Sequence, residues 1–189
     1  MSQIRPLAGF RTYLKASDAA AIEACVRRTG VFRPDEISVA MELVNDRLER
    51  GEKSDYLFII AEVDDAGTGM PELAGFSCYG RIPCTVSGFD LYWIAVEPRL
   101  QGRGIGRAIL DLTESLIAKA GGRRLYAETS SQESYAPTRS FYEKNGFKRL
   151  ALIEDFYAPG DGKVIYGKEI AKKTNLKVLH RPALVIRLQ

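Results

Sequence analysis

The spacing of apolar and polar positions changes period several times along the chain, and each change marks an element. FRTYLK (10–15) alternates and predicts a first strand. From Ser17 or Asp18 the pattern turns helical through an Ala-rich run to Arg28, with Gly30 as its stop. A second helix opens at Pro34-Asp35-Glu36, where proline suits the first turn and carboxylates suit the positive end of the helix dipole. Ile37, Met41, Val44 and Leu48 share one of its faces, and Gly51 ends it. Strand-like runs follow at 56–63, 72–82 and 89–96, the first two joined by the turn-rich DDAGTGMP. Ile105, Ile109, Leu112 and Leu116 fall at helical spacing within 104–120, and Gly121-Gly122 stops that helix before RRLYAET (123–129) returns to strand character. Pro137 starts a last helix that stops at Gly146, and FKRLALIEDF and KVIYGKEI flank APGDG as a hairpin.

The predicted order is β-α-α-β-β-β-α-β-α-β-β, with no internal repeat and no linker long enough to divide it. That order predicts one α/β domain with a mixed sheet over 1–170, and a basic C-terminal extension, 171–189, packed on it.

Composition narrows the class of protein more than its function. With 189 residues, 46% hydrophobic and 27% charged, the chain can bury a substantial core and carries no biased tract. The start, MSQIRPLAGF, lacks the basic-then-apolar pattern of a secretory signal, and the longest apolar stretch, YLFIIA, is far short of a membrane span. Cys25, Cys78 and Cys84 form no CxxC pair and are odd in number, which argues against a disulfide framework and against a zinc site. A cytoplasmic protein without a metal is the expectation.

The net charge of +3 is unevenly placed: residues 160–189 sum to +5 and the rest to −2. Val178, Leu179, Leu184, Val185 and Ile186 interrupt the basic tail, so it reads as a final strand or helix with a solvated face rather than a nucleic-acid stripe. His180, the lone histidine, reads as a solvated tail residue.

The stretch EPRLQGRGIGRAILDLTE (97–114) carries the candidate chemistry. Glycines at 102, 104 and 106 leave a strand and open a helix, where unpaired amides and the helix dipole await an anion. A nucleoside-triphosphate loop would need GxxxxGK[ST], which is absent. A dinucleotide fingerprint finds Gly102 and Gly104, with Glu128 near the end of the following strand. Its third position is Arg107, where helix and strand pack too closely for a long side chain, and the motif arrives after some ninety residues of other structure. A third pattern, Gln/Arg-x-x-Gly-x-Gly/Ala, fits without a gap at Gln101, Gly104 and Gly106.

With that loop, IAVEP (94–98) and YAPTRSFYEKNGF (135–147), the sequence resembles the Gcn5-related N-acetyltransferase (GNAT) superfamily over roughly residues 55–170. The resemblance implies an acyl-CoA N-acyltransferase fold with a splayed central strand pair, acetyl-CoA as co-substrate and a primary amine as acceptor. It places the CoA pyrophosphate on Gln101, Gly102, Arg103, Gly104, Ile105, Gly106 and Arg107, and the pantetheine along Ile94, Ala95 and Val96. Family members often carry an Asn seven residues before the helix tyrosine; here that position is Tyr135.

Amine acetylation needs a base to free the nucleophile, a polarised carbonyl and a proton for the leaving thiolate. The resemblance assigns the acid to Tyr142 and the polarising group to a backbone N–H such as that of Val96. Asp90 lies six residues before Val96, at the offset where histone-acetylating relatives carry a glutamate base. Strand alternation sets Asp90, Tyr92, Ile94 and Val96 on one face. Glu128 and the Glu154-Asp155 pair are the alternative carboxylates. Residues 30–35 and 154–163 are expected to shape an acceptor site for a small-molecule or peptide amine, with a homodimer among the partners. Two other readings stay open: an acyl-CoA-binding sensor without turnover, and a dinucleotide-binding oxidoreductase.

Overall fold

A computed structural model describes residues 7–64 and 69–171. In chain order the elements are β1 (Leu7–Arg11), α1 (Asp18–Thr29), α2 (Pro34–Arg50), β2 (Leu57–Asp64), β3 (Pro71–Arg81), β4 (Gly88–Val96), α3 (Ile105–Lys119), β5 (Arg124–Ser130), α4 (Ala136–Lys144), β6 (Lys148–Ala158) and β7 (Asp161–Glu169). The order is the one that hydrophobic spacing predicts. The first strand sits earlier than the alternation of 10–15 suggests, because Arg11 ends it. Its guanidinium turns inward to hold Asp18 at 2.8 and 2.9 Å and Glu62 at 3.0 Å, tying β1, α1 and β2 together. The basic tail beyond Ala171, with His180, lies outside the described residues.

All seven strands form one sheet in the order β1-β2-β3-β4-β5-β7-β6. Every pair is antiparallel except β4 with β5. The last strand therefore inserts beside β5 and leaves β6 at the edge. Helices cover both faces, which is why the central strands read as nearly continuous apolar runs. On one face, Ile22, Cys25, Val26, Ile37 and Val44 pack against Phe58, Ile60, Phe76, Cys78 and Ala95. On the other, Ile105, Ile109, Leu110 and Ile117 of α3 pack with Ile59, Leu91, Leu125, Ala127, Tyr142 and Tyr166.

Two irregularities of β4 shape everything downstream. Its parallel pairing with β5 runs only from Gly88↔Arg124 to Leu91↔Ala127, after which the strands part. On its other edge the register with β3 slips: Cys78 opposes Trp93 but Tyr79 opposes Leu91, so Tyr92 is an extra, bulged residue. The bulge inverts the alternation expected for this strand. Ile94 and Val96 turn to the α3 side with Leu91, whereas Asp90 shares the α1–α2 side with Trp93 and Ala95. The expected single face of Asp90, Tyr92, Ile94 and Val96 is corrected accordingly.

Gly122 sets the entry into β5. A methyl group there would lie 2.7 Å from the Phe89 ring and would also overlap Ile117. Gly122→Ala is expected to destabilise the protein by about 1–3 kcal/mol, as overpacking does; urea unfolding with an unchanged m-value checks it.

Candidate active site

Where β4 and β5 part, a cleft of about 470 Å³ opens between the two layers of helices. Ile94, Ala95 and Val96 form its β4 wall, and Gln101, Gly102, Gly104, Ile105, Gly106 and Arg107 form its rim. Phe141 of α4 and Asn145, the residue that caps its C-terminus, close one side, and Val31 and Phe32 of the α1–α2 loop close the other.

The rim is built for an anion. Gly102 and Gly104 are left-handed, with φ of 74° and 79°, a region that favours glycine. Gly104 is the N-cap of α3 and offers no side chain to it, and the first helical bond is from the Ala108 N–H to the Gly104 carbonyl at 3.0 Å. The amides of Ile105, Gly106 and Arg107 are therefore left for a ligand. A Cβ on Gly106 would come within 3.3 Å of Phe141 and 3.5 Å of Val96, so a larger residue would narrow the passage.

The β4 wall is equally specific. The Glu97 N–H donates to the Ala74 carbonyl at 2.9 Å, toward β3. Alternation then turns the main-chain groups of Ile94 and Val96 the other way, into the gap that β5 has vacated. Gln101 donates its side-chain amide to the Val96 carbonyl at 3.1 Å, which pins the glycine loop to the strand. On the far side of the gap, just beyond the last β4–β5 pair, Thr129 of β5 lies on the face of Leu125 and Ala127. Among the described residues its hydroxyl is the one buried side-chain polar group without a hydrogen-bond partner.

A profile of the GNAT acetyltransferase domain matches residues 54–149, which span the fork, the glycine loop and α4. The chain belongs to the GNAT acetyltransferase family. A GNAT-family protein of known structure from Desulfovibrio desulfuricans is 43% identical and superposes with a TM-score of 0.78, covering 86% of this chain and 99% of that one. An N-alpha-acetyltransferase from Sulfurisphaera tokodaii is 31% identical over 108 residues, 55% of this chain and 64% of its own length. The chain thus spans less than two thirds of that curated relative. An aminoglycoside 6'-N-acetyltransferase complexed with coenzyme A shares the fold at 16% identity and a TM-score of 0.64, covering 88% of this chain and 99% of that one.

Within this GNAT fold, the expected site residues divide. Arg107 lines the cleft, with its guanidinium held by Asp111 at 2.9 Å; Arg103 is exposed and does not line it. Tyr142 does not line it either. It packs among Phe141, Phe147 and Tyr166 at centroid distances of 5.8, 5.2 and 5.5 Å and is 4% exposed. Its hydroxyl makes no hydrogen bond and is not sealed in, so that end of the ring is the part reaching solvent. Burial, with Tyr166 beside it, pushes the phenol above its ordinary pKa and keeps it protonated. Asp90 is half-buried on the α1–α2 side, and desolvation followed by the charge of Glu128 raises its carboxyl. Glu128 itself is paired with Lys163 at 2.6 Å.

The α1–α2 loop and the β6–β7 hairpin, the two segments expected to shape an acceptor site, touch each other, while no residue of 154–163 lines the cleft. Arg33 reaches Asp161 at 3.7 Å and lies 5.8 Å from the Tyr157 ring centre, while Asp161 also accepts a hydrogen bond from Ser130. Tyr135, at the position where relatives carry Asn, is not part of the cleft wall. Its hydroxyl donates to Glu36 at 3.1 Å and braces the first turn of α2, and burial and Glu36 push its pKa up. Sequence reasoning missed Pro137, Thr138, Phe141 and Asn145 in the wall. Their spacing along one side of α4 was the available signal.

Two outcomes follow from unpaired polar groups. Thr129→Val removes a buried hydroxyl that bonds to nothing and is expected to stabilise the free protein, by up to roughly 1–3 kcal/mol, in chemical unfolding. For Asp90 the carboxyl pKa is higher folded than unfolded, so the unfolded chain ionises first. Stability from this group is lost as pH rises from the unfolded value of about 3.9 through the folded one. Asp90→Asn should therefore raise Tm at neutral pH, with the gain vanishing in scans below about pH 3.9.

Proposed function

We propose that this protein transfers an acetyl group from acetyl-CoA to an amine. The observation that carries the reading is one continuous cleft that joins an uncapped helix N-terminus to strand main-chain groups with no strand partner. The amides of Ile105, Gly106 and Arg107 suit a pyrophosphate, and the Val96 N–H and the Ile94 carbonyl suit the amides of a pantetheine arm, the Val96 carbonyl being already taken by Gln101. Bound acetyl-CoA supplies an activated thioester.

The chain's own residues then take distinct tasks. The phosphate end lies at the Val96 end of β4, so the carbonyl oxygen falls nearer the fork, against the Ile94 N–H, one step further in than Val96. A preorganised N–H there favours the charge that develops on that oxygen as the amine nitrogen bonds to the carbonyl carbon. Tyr142, held protonated by burial, gives its proton to the sulfur as the C–S bond breaks. Asp90, on the acceptor side because of the bulge, takes the amine proton through water.

The mouth also bears on the acceptor. Glu36, Asp161 and Glu128 are already bonded to Tyr135, Arg33, Ser130 and Lys163. With Asp155 accepting the Gly160 N–H, Glu154 is the one hairpin carboxylate left without a partner among the described residues, which suits a singly charged amine better than a polyamine. An α-amine, with pKa about 8 against about 10.4 for a lysine, is about one-tenth neutral at pH 7 where a lysine is less than about a thousandth neutral, and asks less of the base. The Sulfurisphaera tokodaii relative's name supports a peptide α-amine as the first acceptor to try.

Acetyl-CoA is expected to bind saturably in calorimetry, with no change when NAD is present in excess. Displacement by NAD would return the glycine loop to the dinucleotide reading. With a peptide acceptor, Tyr142→Phe should lower kcat by about 100-fold while acetyl-CoA affinity holds. Binding with no turnover in the parent would make the protein an acyl-CoA sensor.

A further inference from the structure

An amine already stands beside the fork. Lys163 of β7 lies opposite Ser130 of β5, and Glu128 is two residues before Ser130. The last β4–β5 pair is Leu91 with Ala127, so Glu128 is the first β5 residue past the parting. Directly opposed residues share a face, and Tyr126, two before Glu128, is paired with Asp90. Asp90, Glu128, Ser130 and Lys163 therefore share the α1–α2 side, and the Glu128 charge acts on Asp90. The Lys163 ammonium donates to Glu128 at 2.6 Å and sits 3.9 Å from the Phe156 ring centre and 5.9 Å from that of Tyr157. A carboxylate and two aromatic rings recognise an ammonium well where bulk water is excluded, and this side chain is 16% exposed.

We propose that Lys163 is an internal acceptor, acetylated by this chain from its own bound acetyl-CoA. The proposal rests on the acetyl-transfer reading above and adds a modification site to it. Lys163 lies outside the cleft wall, so its flexible stem has to carry the nitrogen from Glu128 into the gap. In that step the ammonium leaves one proton on Glu128. The nitrogen then bonds to the carbonyl carbon, and Tyr142 gives its proton to the sulfur as the C–S bond breaks. The second proton of the nitrogen returns through water to Tyr142, and Glu128 releases its own to solvent. The products are N-acetyl-Lys163, CoA thiol and one proton. The new amide carries no charge, so Glu128 loses its partner and becomes open to the ammonium of an external acceptor. Lys168 is the built-in comparison. It is 19% exposed and paired with Glu114, yet it lies opposite Leu125, on the α3 side and away from the parting.

The test treats the full chain with a lysine deacetylase, then with isotope-labelled acetyl-CoA and no acceptor, and maps the label by peptide mass spectrometry. One labelled acetyl group at Lys163 is expected, with Lys168 unlabelled and a first-order rate that dilution of the protein leaves unchanged. Tyr142→Phe should slow labelling at Lys163 about 100-fold, while the slow uncatalysed labelling of exposed lysines stays as it was. Lys163→Arg keeps a cation on Glu128 and should bind acetyl-CoA as the parent does. Acetyl-CoA that binds while Lys163 stays unlabelled, or is labelled no faster than in Tyr142→Phe, overturns the inference and leaves the acetyl-transfer reading standing. So does a rate that grows with protein concentration, because one copy would then be modifying another. A chain that does not bind acetyl-CoA overturns both.

Discussion

Backbone hydrogen bonding is obligatory in a buried sheet, and this fold departs from it at one place. Central strands keep their neighbours because an unpaired N–H or C=O away from water is costly. β4 nonetheless leaves β5 after Leu91, in the middle of a seven-stranded sheet. The Tyr92 bulge adds local twist at the point of departure, and α3 and α4 hold the gap open with Ile105 and Phe141. Beyond the fork, Arg28 clamps the buried Glu97 at 2.7 Å and Gln101 fastens the loop to Val96, so the freed strand end cannot drift back into the sheet. The cleft, the exposed amides and the orphan hydroxyl of Thr129 all follow from that one parting.

The fork also separates two tasks by sheet face. The α3 side receives the rim of helix amides, the inward-turned Ile94 and Val96, and the aromatic cluster around Tyr142. The α1–α2 side receives Asp90, Glu128 and the clasp of Arg33, Asp161 and Tyr157. In the proposed reaction, an extended carrier on one side and an acceptor on the other would meet through the gap. A one-residue bulge is what sets Asp90 on the α1–α2 side, away from Ile94 and Val96.

Much of the fold was legible along the chain. Gly30 and Gly51 terminate the first two helices, proline starts two helices, and the loop from Gln101 to Gly106 marks a glycine-capped helix start with unpaired amides, because each effect is local to a few dihedral angles. The family's two motifs, read at Gly104 and Tyr142, lie within the stretch that matches the GNAT domain profile. Less was legible of the wall that α4 contributes. Phe141 and Asn145 look like ordinary helix positions until another element faces them.

The sequence by itself determined the element types and order, the anion-ready start of α3 and the family, since those depend on short-range sterics, periodicity and motif spacing. Only the tertiary structure decided which face Asp90 occupies, that Tyr135 braces α2 instead of lining the cleft, that Tyr142 is buried among aromatic rings outside the cleft wall, and that β7 inserts beside β5 to leave β6 at the edge. Each of those depends on strand register and on which surfaces meet. A single inserted residue can reverse a face, and no local pattern records the strand that lies across from it.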